Sequence, residues 1–157
     1  MLPYIEGMRT LGQLHIDPGT LEANGSTELE IVVPYTEWSV TREVLMRAVA
    51  LAAGLHARIQ LIAVHTSPYP NPIGCPALVH AHLVEQLIDL AGMCPLPVNP
   101  QVVMARYWDE GFRYAMKPHS TVLIGSRRHL WRTHEEKLAQ SLAREGHQVA
   151  LLHIDRN

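Results

Sequence analysis

From Leu29 onward the chain alternates short apolar runs with stretches whose apolar residues recur at helical spacing. Leu29-Glu30-Ile31-Val32-Val33 is a β-branched run closed by Pro34. Proline cannot donate to a ladder, so it marks the end of a strand. Ser39 is placed to cap a helix running to about Gly54, with Val40, Val44, Leu45, Ala48, Val49 and Ala52 as its apolar stripe. Residues 57–65 include Ile59, Leu61, Ile62, Ala63 and Val64, the near-continuous apolar content of a strand covered on both faces. Residues 67–76 hold four prolines and a glycine and read as a loop. A second helix is expected over 77–92, with Leu83, Val84, Leu87, Ile88 and Ala91 inward. Pro95, Pro97 and Pro100 form the next break, before a third strand at 101–105 and a short helix over 109–117 that Pro118 ends. Residues 121–124 form a fourth strand running straight into Gly125. Thr133-x-x-Glu136 is a capping box for a helix with Leu138, Ala139, Leu142 and Ala143 inward. Gly146 stands at the C′ position, and residues 149–154 are a last strand, apolar on both alternating sets.

Five strands alternating with four helices predict an α/β fold. Each parallel return needs a crossover, and helices on both faces bury the sheet in a three-layer sandwich. Residues 1–28 show no sustained period. They read as an N-terminal tail or linker, on the surface or mobile, with one short extended piece at 13–16. The α/β domain then occupies 29–157.

Composition narrows the function classes. With 157 residues the chain is one domain's worth, and 47% hydrophobic against 18% charged content is globular. A formal net charge of −2 supplies no field for nucleic acid as the main partner. No apolar stretch approaches the ~20 residues of a bilayer span, and no secretory leader is visible. The expectation is a cytoplasmic protein with reduced thiols and no direct membrane insertion. Cys75 and Cys94, each followed by proline, form no metal-ligand or redox motif and read as buried or half-buried thiols.

The block Ile31-Val32-Val33-Pro34, an Ala-rich helix ending Ala53-Gly54, and Ala57-Arg58-Ile59…Ala63-Val64-His65 resembles the first half of a universal stress protein domain. Ser120-Thr121-Val122-Leu123-Ile124-Gly125-Ser126-Arg127 is similar to that family's fourth strand and following loop, and Gly146…Val149-Ala150-Leu151-Leu152 to its closing strand. The resemblance covers residues 29–155. It implies an open parallel sheet of order 3-2-1-4-5, with a ligand crevice where strands 1 and 4 diverge at their carboxyl ends. Its ATP-binding members carry an acidic residue after strand 1 and G-x-x-G-x9-G-[ST] after strand 4. Here Gly125 holds the first motif position, but Arg128, Leu138 and Ala139 occupy the other three. Tyr35-Thr36 fall where the acidic residue is expected, with Glu37 one step later. Side chains in place of glycine remove the close main-chain approach to phosphate, which arginine charge cannot restore. Val33-Pro34-Tyr35…Trp38 followed by a helix also resembles the cytosolic tails of amino-acid permeases, which implies a membrane transporter or other protein as partner.

The candidate ligand-binding residues are Tyr35, Thr36, Val64, Gly125, Ser126, Arg127, Arg128, Arg132 and Thr133. Arg127, Arg128 and Arg132, between strand 4 and a capped helix start, would make an anion site there or a solvated basic loop. His129 and His134 flank that loop. Trp38, Trp108 and Trp131 fall at the carboxyl end of the sheet, where they would wall the crevice or pack the helix starts. Ser126 reads as a loop hydrogen-bonder, since no nucleophile elbow surrounds it. The ten histidines lack ligand spacing, so no metal is expected. The last strand, expected at the sheet edge, suggests a homodimer through residues 149–154. The reading is a non-enzymatic regulatory or stress-response module without the usual ATP loop or a resident cofactor, working through dimerisation and a partner or small anionic ligand. Its rival is an ATP- or AMP-binding protein whose phosphate grip has moved to the arginines.

Overall fold

Each apolar run becomes a strand of one sheet, and each amphipathic stretch a helix on one of its faces. The computed structural model describes residues 8–10, 29–66, 77–127 and 133–155. Along these the order is β1 (Met8–Thr10), β2 (Glu30–Pro34), α1 (Trp38–Leu55), β3 (Arg58–Thr66), α2 (Ala77–Gly92), β4 (Val98–Ala105), α3 (Trp108–Ala115), β5 (Thr121–Arg127), α4 (His134–Arg144) and β6 (Gln148–Ile154). The sheet order is β1-β6-β5-β2-β3-β4. Its five main strands are mutually parallel, in the 3-2-1-4-5 arrangement expected from the sequence.

Strand alternation divides the core in two. Ile31, Val33, Ile59, Leu61, Ala63, Leu123, Ala150 and Leu152 face α1 and α2, packing on Val40, Val44, Leu45, Ala48, Leu87 and Leu90. Val32, Ile62, Val122, Ile124, Val149 and Leu151 face α3 and α4, packing on Phe112, Leu138, Ala139 and Leu142. Both faces of every central strand are therefore dry, which is why these strands read as continuous apolar runs. Among the described residues no helix is long and apolar enough to cross a membrane.

Helix ends follow local chemistry. At α4 the Thr133 hydroxyl accepts the Glu136 N–H at 3.2 Å, as the capping box requires. At its other end Gly146 takes φ 96°, and the N–H groups of Gly146 and His147 return to the carbonyls of Ala143 and Leu142. That pair of bonds is a Schellman closure.

Four expectations need correction. Ser39 does not cap α1. The helix starts at Trp38 with Glu37 as its N-cap residue, and Ser39 lies within the first turn. Pro100 does not precede the third strand but lies inside it, paired with Leu61. It is tolerated because β4 is an edge strand, where the missing N–H breaks no ladder on the outer side. The tail contributes a strand, at residues 8–10, whereas the extended piece expected at 13–16 lies outside the described residues. Finally, the strand at 149–154 is not the sheet edge. β1 pairs antiparallel along it, Met8↔Leu152, Arg9↔Leu151 and Thr10↔Ala150, so a homodimer through a bare edge there is not available to this conformation.

Candidate functional site

The crevice arises where the sheet reverses its order. β2 and β5 pair at Ile31↔Thr121 and Val32↔Val122 and then part, whereas β5 and β6 stay in register from Thr121↔Gln148 to Arg127↔Ile154. The helices that follow the two parting strands go to opposite faces, α1 to one core and α4 to the other. Both helix N-termini therefore lie at the carboxyl end of the sheet, beside the opening.

An ion pair spans that opening. Arg127 donates from Nε to Glu37 Oε2 at 3.1 Å and from Nη2 to Glu37 Oε1 at 2.7 Å. The same Nη2 donates to Ser39 Oγ at 2.7 Å, and Ser39 Oγ donates to Glu37 Oε1 at 2.8 Å. The guanidinium fork thus already holds a carboxylate in the two-point geometry that suits a carboxylate or phosphate ligand. Hydrogen bonding to Glu37 raises the Arg127 pKa above its ordinary value, with burial opposing. Although it stands at the N-cap, Glu37 makes no side-chain cap bond to α1.

Behind the ion pair the hydroxyls form a chain. Ser126, 2% exposed, has its Oγ within 3.2 Å of the Arg127 carbonyl and 3.1 Å of Thr133 Oγ1. The carbonyl can only accept, so Ser126 donates to it and receives the Thr133 proton, while Thr133 Oγ1 accepts the Glu136 N–H. Ser126 is thereby a hydrogen-bonder that ties the end of β5 to the start of α4.

Gly125 serves packing. A methyl group there would lie 2.5 Å from both Val40 Cγ1 and Val44 Cγ2, so the glycine lets α1 settle directly on β5. Tyr35 leans on α2, its hydroxyl donating to Gln86 Oε1 at 3.0 Å. Its pKa is raised by burial and by the charge of Glu37. Thr36 donates its N–H to Thr41 Oγ1 at 3.2 Å, fixing the turn into α1. Val64 faces α3, where a methyl on Gly111 would come within 2.6 Å of it. Of the predicted site residues, then, Gly125, Ser126, Arg127 and Thr133 gather at the opening, and Tyr35 and Thr36 form its β2 wall. Val64 packs on the opposite helix layer. Arg128, Arg132, His129 and Trp131 lie outside the described residues, as does Cys75.

Trp38 and Trp108 pack helix starts. Arg42 stacks 5.9 Å over the Trp38 ring, and Trp108 meets Phe112 edge-on at 4.9 Å. Cys94 is half-buried, donating to the Leu90 carbonyl at 3.5 Å, and burial raises its pKa. Among the described residues no three His, Cys, Asp or Glu side chains converge on a metal-sized site. A separate cavity of about 530 Å³, lined by Ala52, His56, Ile59, Leu96 and Val98 among others, opens at the amino ends of β3 and β4, the opposite pole from the crevice.

Sequence reasoning noticed Glu37 only as a near miss to the acidic position and gave Ser39 the wrong task. The usable signal was the acidic residue itself, opposite an arginine at the end of the neighbouring strand.

No family model and no curated protein matches the sequence, and the permease-tail resemblance gains no support. Solved structures do match. A protein from the universal stress protein family of Burkholderia pseudomallei superposes with a TM-score of 0.58 at 20% identity, over 83% of this chain and 99% of that one. The universal stress protein of Archaeoglobus fulgidus superposes with a TM-score of 0.63 at 14% identity, over 84% of this chain and 98% of that one. With the strand order and the placement of its helices, these likenesses make the fold of this chain universal stress protein-like.

Proposed function

We propose that this domain is a regulatory module of the stress-response type whose switch-point crevice receives a small anion or an acidic group of a partner protein, and that it does not hold ATP through a glycine loop. One observation carries the reading: the Glu37 carboxylate sits in the Arg127 fork. An incoming carboxylate or phosphate would use the same two donors, so binding is an exchange in which Glu37 leaves and the ligand takes its place. Position supports this. The fork opens where the two parting strands end, beside two helix N-termini, and Gly125 is already committed to helix packing.

The test is a thermal-shift and calorimetry series with inorganic phosphate, pyrophosphate, AMP and ATP on three proteins. Glu37→Gln removes the internal competitor and is expected to bind phosphate or pyrophosphate more tightly than the unmodified chain. Adding Arg127→Ala to it abolishes the gain. ATP is expected to shift the unmodified chain no more than pyrophosphate does. Strong ATP binding with the phosphates on main-chain amides between Gly125 and Ala139 would overturn the reading. Nucleotide binding to the unmodified chain that is lost in Arg127→Ala would favour a nucleotide site built on arginine.

A further inference from the structure

The amino pole of the sheet carries two hollows that the crevice does not use. The first, about 530 Å³, lies between the end of α1 and the starts of β3 and β4. Ligand pockets typically enclose about 300–1,000 Å³. The space exists because the α1 side is built from alanine. Ala52, Ala53 and Ala57 supply only methyl groups where a leucine would fill it. The facing wall, residues 93–97, cannot close over the gap. Pro95 and Pro97 have a fixed φ, and the N–H groups of Met93 and Cys94 return to α2 carbonyls. The second hollow, about 520 Å³, lies between the end of α2 and β4, and it shares Leu96, Pro97 and Val98 with the first.

The two hollows differ in chemistry. The floor of the first is Ala52 and Ile59, each 1% exposed, and its rim is His56, Arg58 and Asn99, all exposed. Among the described residues lining it there is one guanidinium and no carboxylate. The second adds Ile88, Ala91, Cys94, Pro95 and Pro100 to the shared residues, and among the described residues lining it none is charged. Ile88 is 54% exposed there, so apolar cover would be favourable.

We propose that the two hollows form one site for an unbranched acyl carboxylate, its head at the Arg58 rim and its tail laid across residues 96–98 toward Ile88. Charge sets the direction. A guanidinium suits a carboxylate, whereas a head at the Ile88 end would lose its water and find no charged partner. Shape sets the class. A compact acid fills the first hollow alone and gains nothing from the second, but a chain covers both. The site lies at the opposite end of the strands from Arg127, so this inference is independent of the crevice reading and stands if no anion binds there.

Equilibrium dialysis of the full chain against straight-chain carboxylates from butanoate to dodecanoate, kept below micelle-forming concentrations, tests the proposal, with the matching 1-alkanols as controls. Affinity is expected to rise about fourfold for each added methylene while the tail is still being covered, the increment for burying one CH₂. Two variants separate the ends, and both change exposed side chains, so folding is not at risk. Arg58→Gln should weaken every carboxylate about tenfold, as loss of a charged hydrogen bond does, and leave the alkanols unchanged. Ile88→Asp should weaken dodecanoate about tenfold or more, because it sets a charge against the tail, and leave butanoate unchanged. Binding in Arg127→Ala should match the unmodified chain. Failure of every carboxylate to bind, or affinity flat in chain length, would overturn the proposal. So would a series unchanged in both Arg58→Gln and Ile88→Asp, which marks adhesion elsewhere, or one lost in Arg127→Ala, which places the acid in the crevice.

Discussion

Replacing Gly125 by alanine isolates the packing of α1 on β5. The new methyl would sit 2.5 Å from Val40 Cγ1 and from Val44 Cγ2, more than about 1 Å inside the ordinary carbon–carbon contact of roughly 3.5–4.0 Å. Neither valine can swing aside, because a β-branched residue in a helix is nearly confined to one rotamer and both are buried. The helix must lift or a rotamer must break. Overpacking of this kind costs about 1–3 kcal/mol. For a domain of this size that corresponds to a fall in Tm of about 2–12 °C. Urea unfolding is the measurement, read as a lower midpoint at unchanged m. The companion variant is Val44→Ala, which alone leaves a cavity but in the double mutant removes one of the two clashes the new methyl makes. The two changes should therefore be less than additive, by about 0.5–3 kcal/mol, the range for residues in direct contact. A Gly125→Ala chain as stable as the original, or strictly additive penalties, would refute the packing role. The glycine would then have to be explained by a ligand.

The remaining expectations concern the loops that close the sheet. His147, 8% exposed, accepts the Ser120 N–H on Nδ1 at 3.0 Å. Its pKa is lowered below its usual 6.5 by burial first and by His119, with Glu145 opposing. The folded state thus binds this proton less readily than the unfolded chain. The stability His147 contributes is complete above about pH 6.5 and declines as pH falls below it toward the folded value. Urea midpoints at pH 8 and pH 5.5 should show that loss in the original chain and less of it in His147→Asn, whose Oδ1 can accept the same N–H; equal losses would exclude His147 as the cause. Thr133→Ala removes the α4 cap and should cost about 1 kcal/mol, whereas Thr133→Ser should restore most of it. Gly146→Ala forces an L side chain into φ 96° and should lower the unfolding free energy by about 1–2 kcal/mol.

How much of this was legible in the sequence depends on the range of the cause. Strands β2, β3, β5 and β6 announce themselves because they are buried on both faces, and α4 because its cap and its C′ glycine are local chemistry. β1 has three residues, too few to display a period, and exists only through its partner about 140 positions away. Pro100 argues for a break unless β4 is known to be an edge, and edge status belongs to the finished sheet. Ser39 has the residue type of a cap, but the helix starts one residue before it, as helix boundaries read from residue type alone often do. The Glu37–Arg127 pair joins residues 90 positions apart, so no spacing rule could find it. Residue type and strand ends could only bring the two into the same neighbourhood.

The crevice offers a sharper lesson about motif residues. Of the four positions in the phosphate pattern, this chain keeps only the first glycine, and a lone glycine there invites a nucleotide. Its backbone does not take a positive φ, since among the described glycines only Gly146 does, so conformational freedom is not what it supplies. What it supplies is room for Val40 and Val44, a need that exists whether or not any ligand binds. Its presence therefore carries no information about phosphate. On the proposed reading the weight moves to the groups that would change partners, Glu37 and Arg127. On the exchange reading proposed above, an anion that takes the same two donors displaces the Glu37 carboxylate. On that reading the signal travels through the release of Glu37 from Arg127 at the start of α1, the helix that packs directly on Gly125.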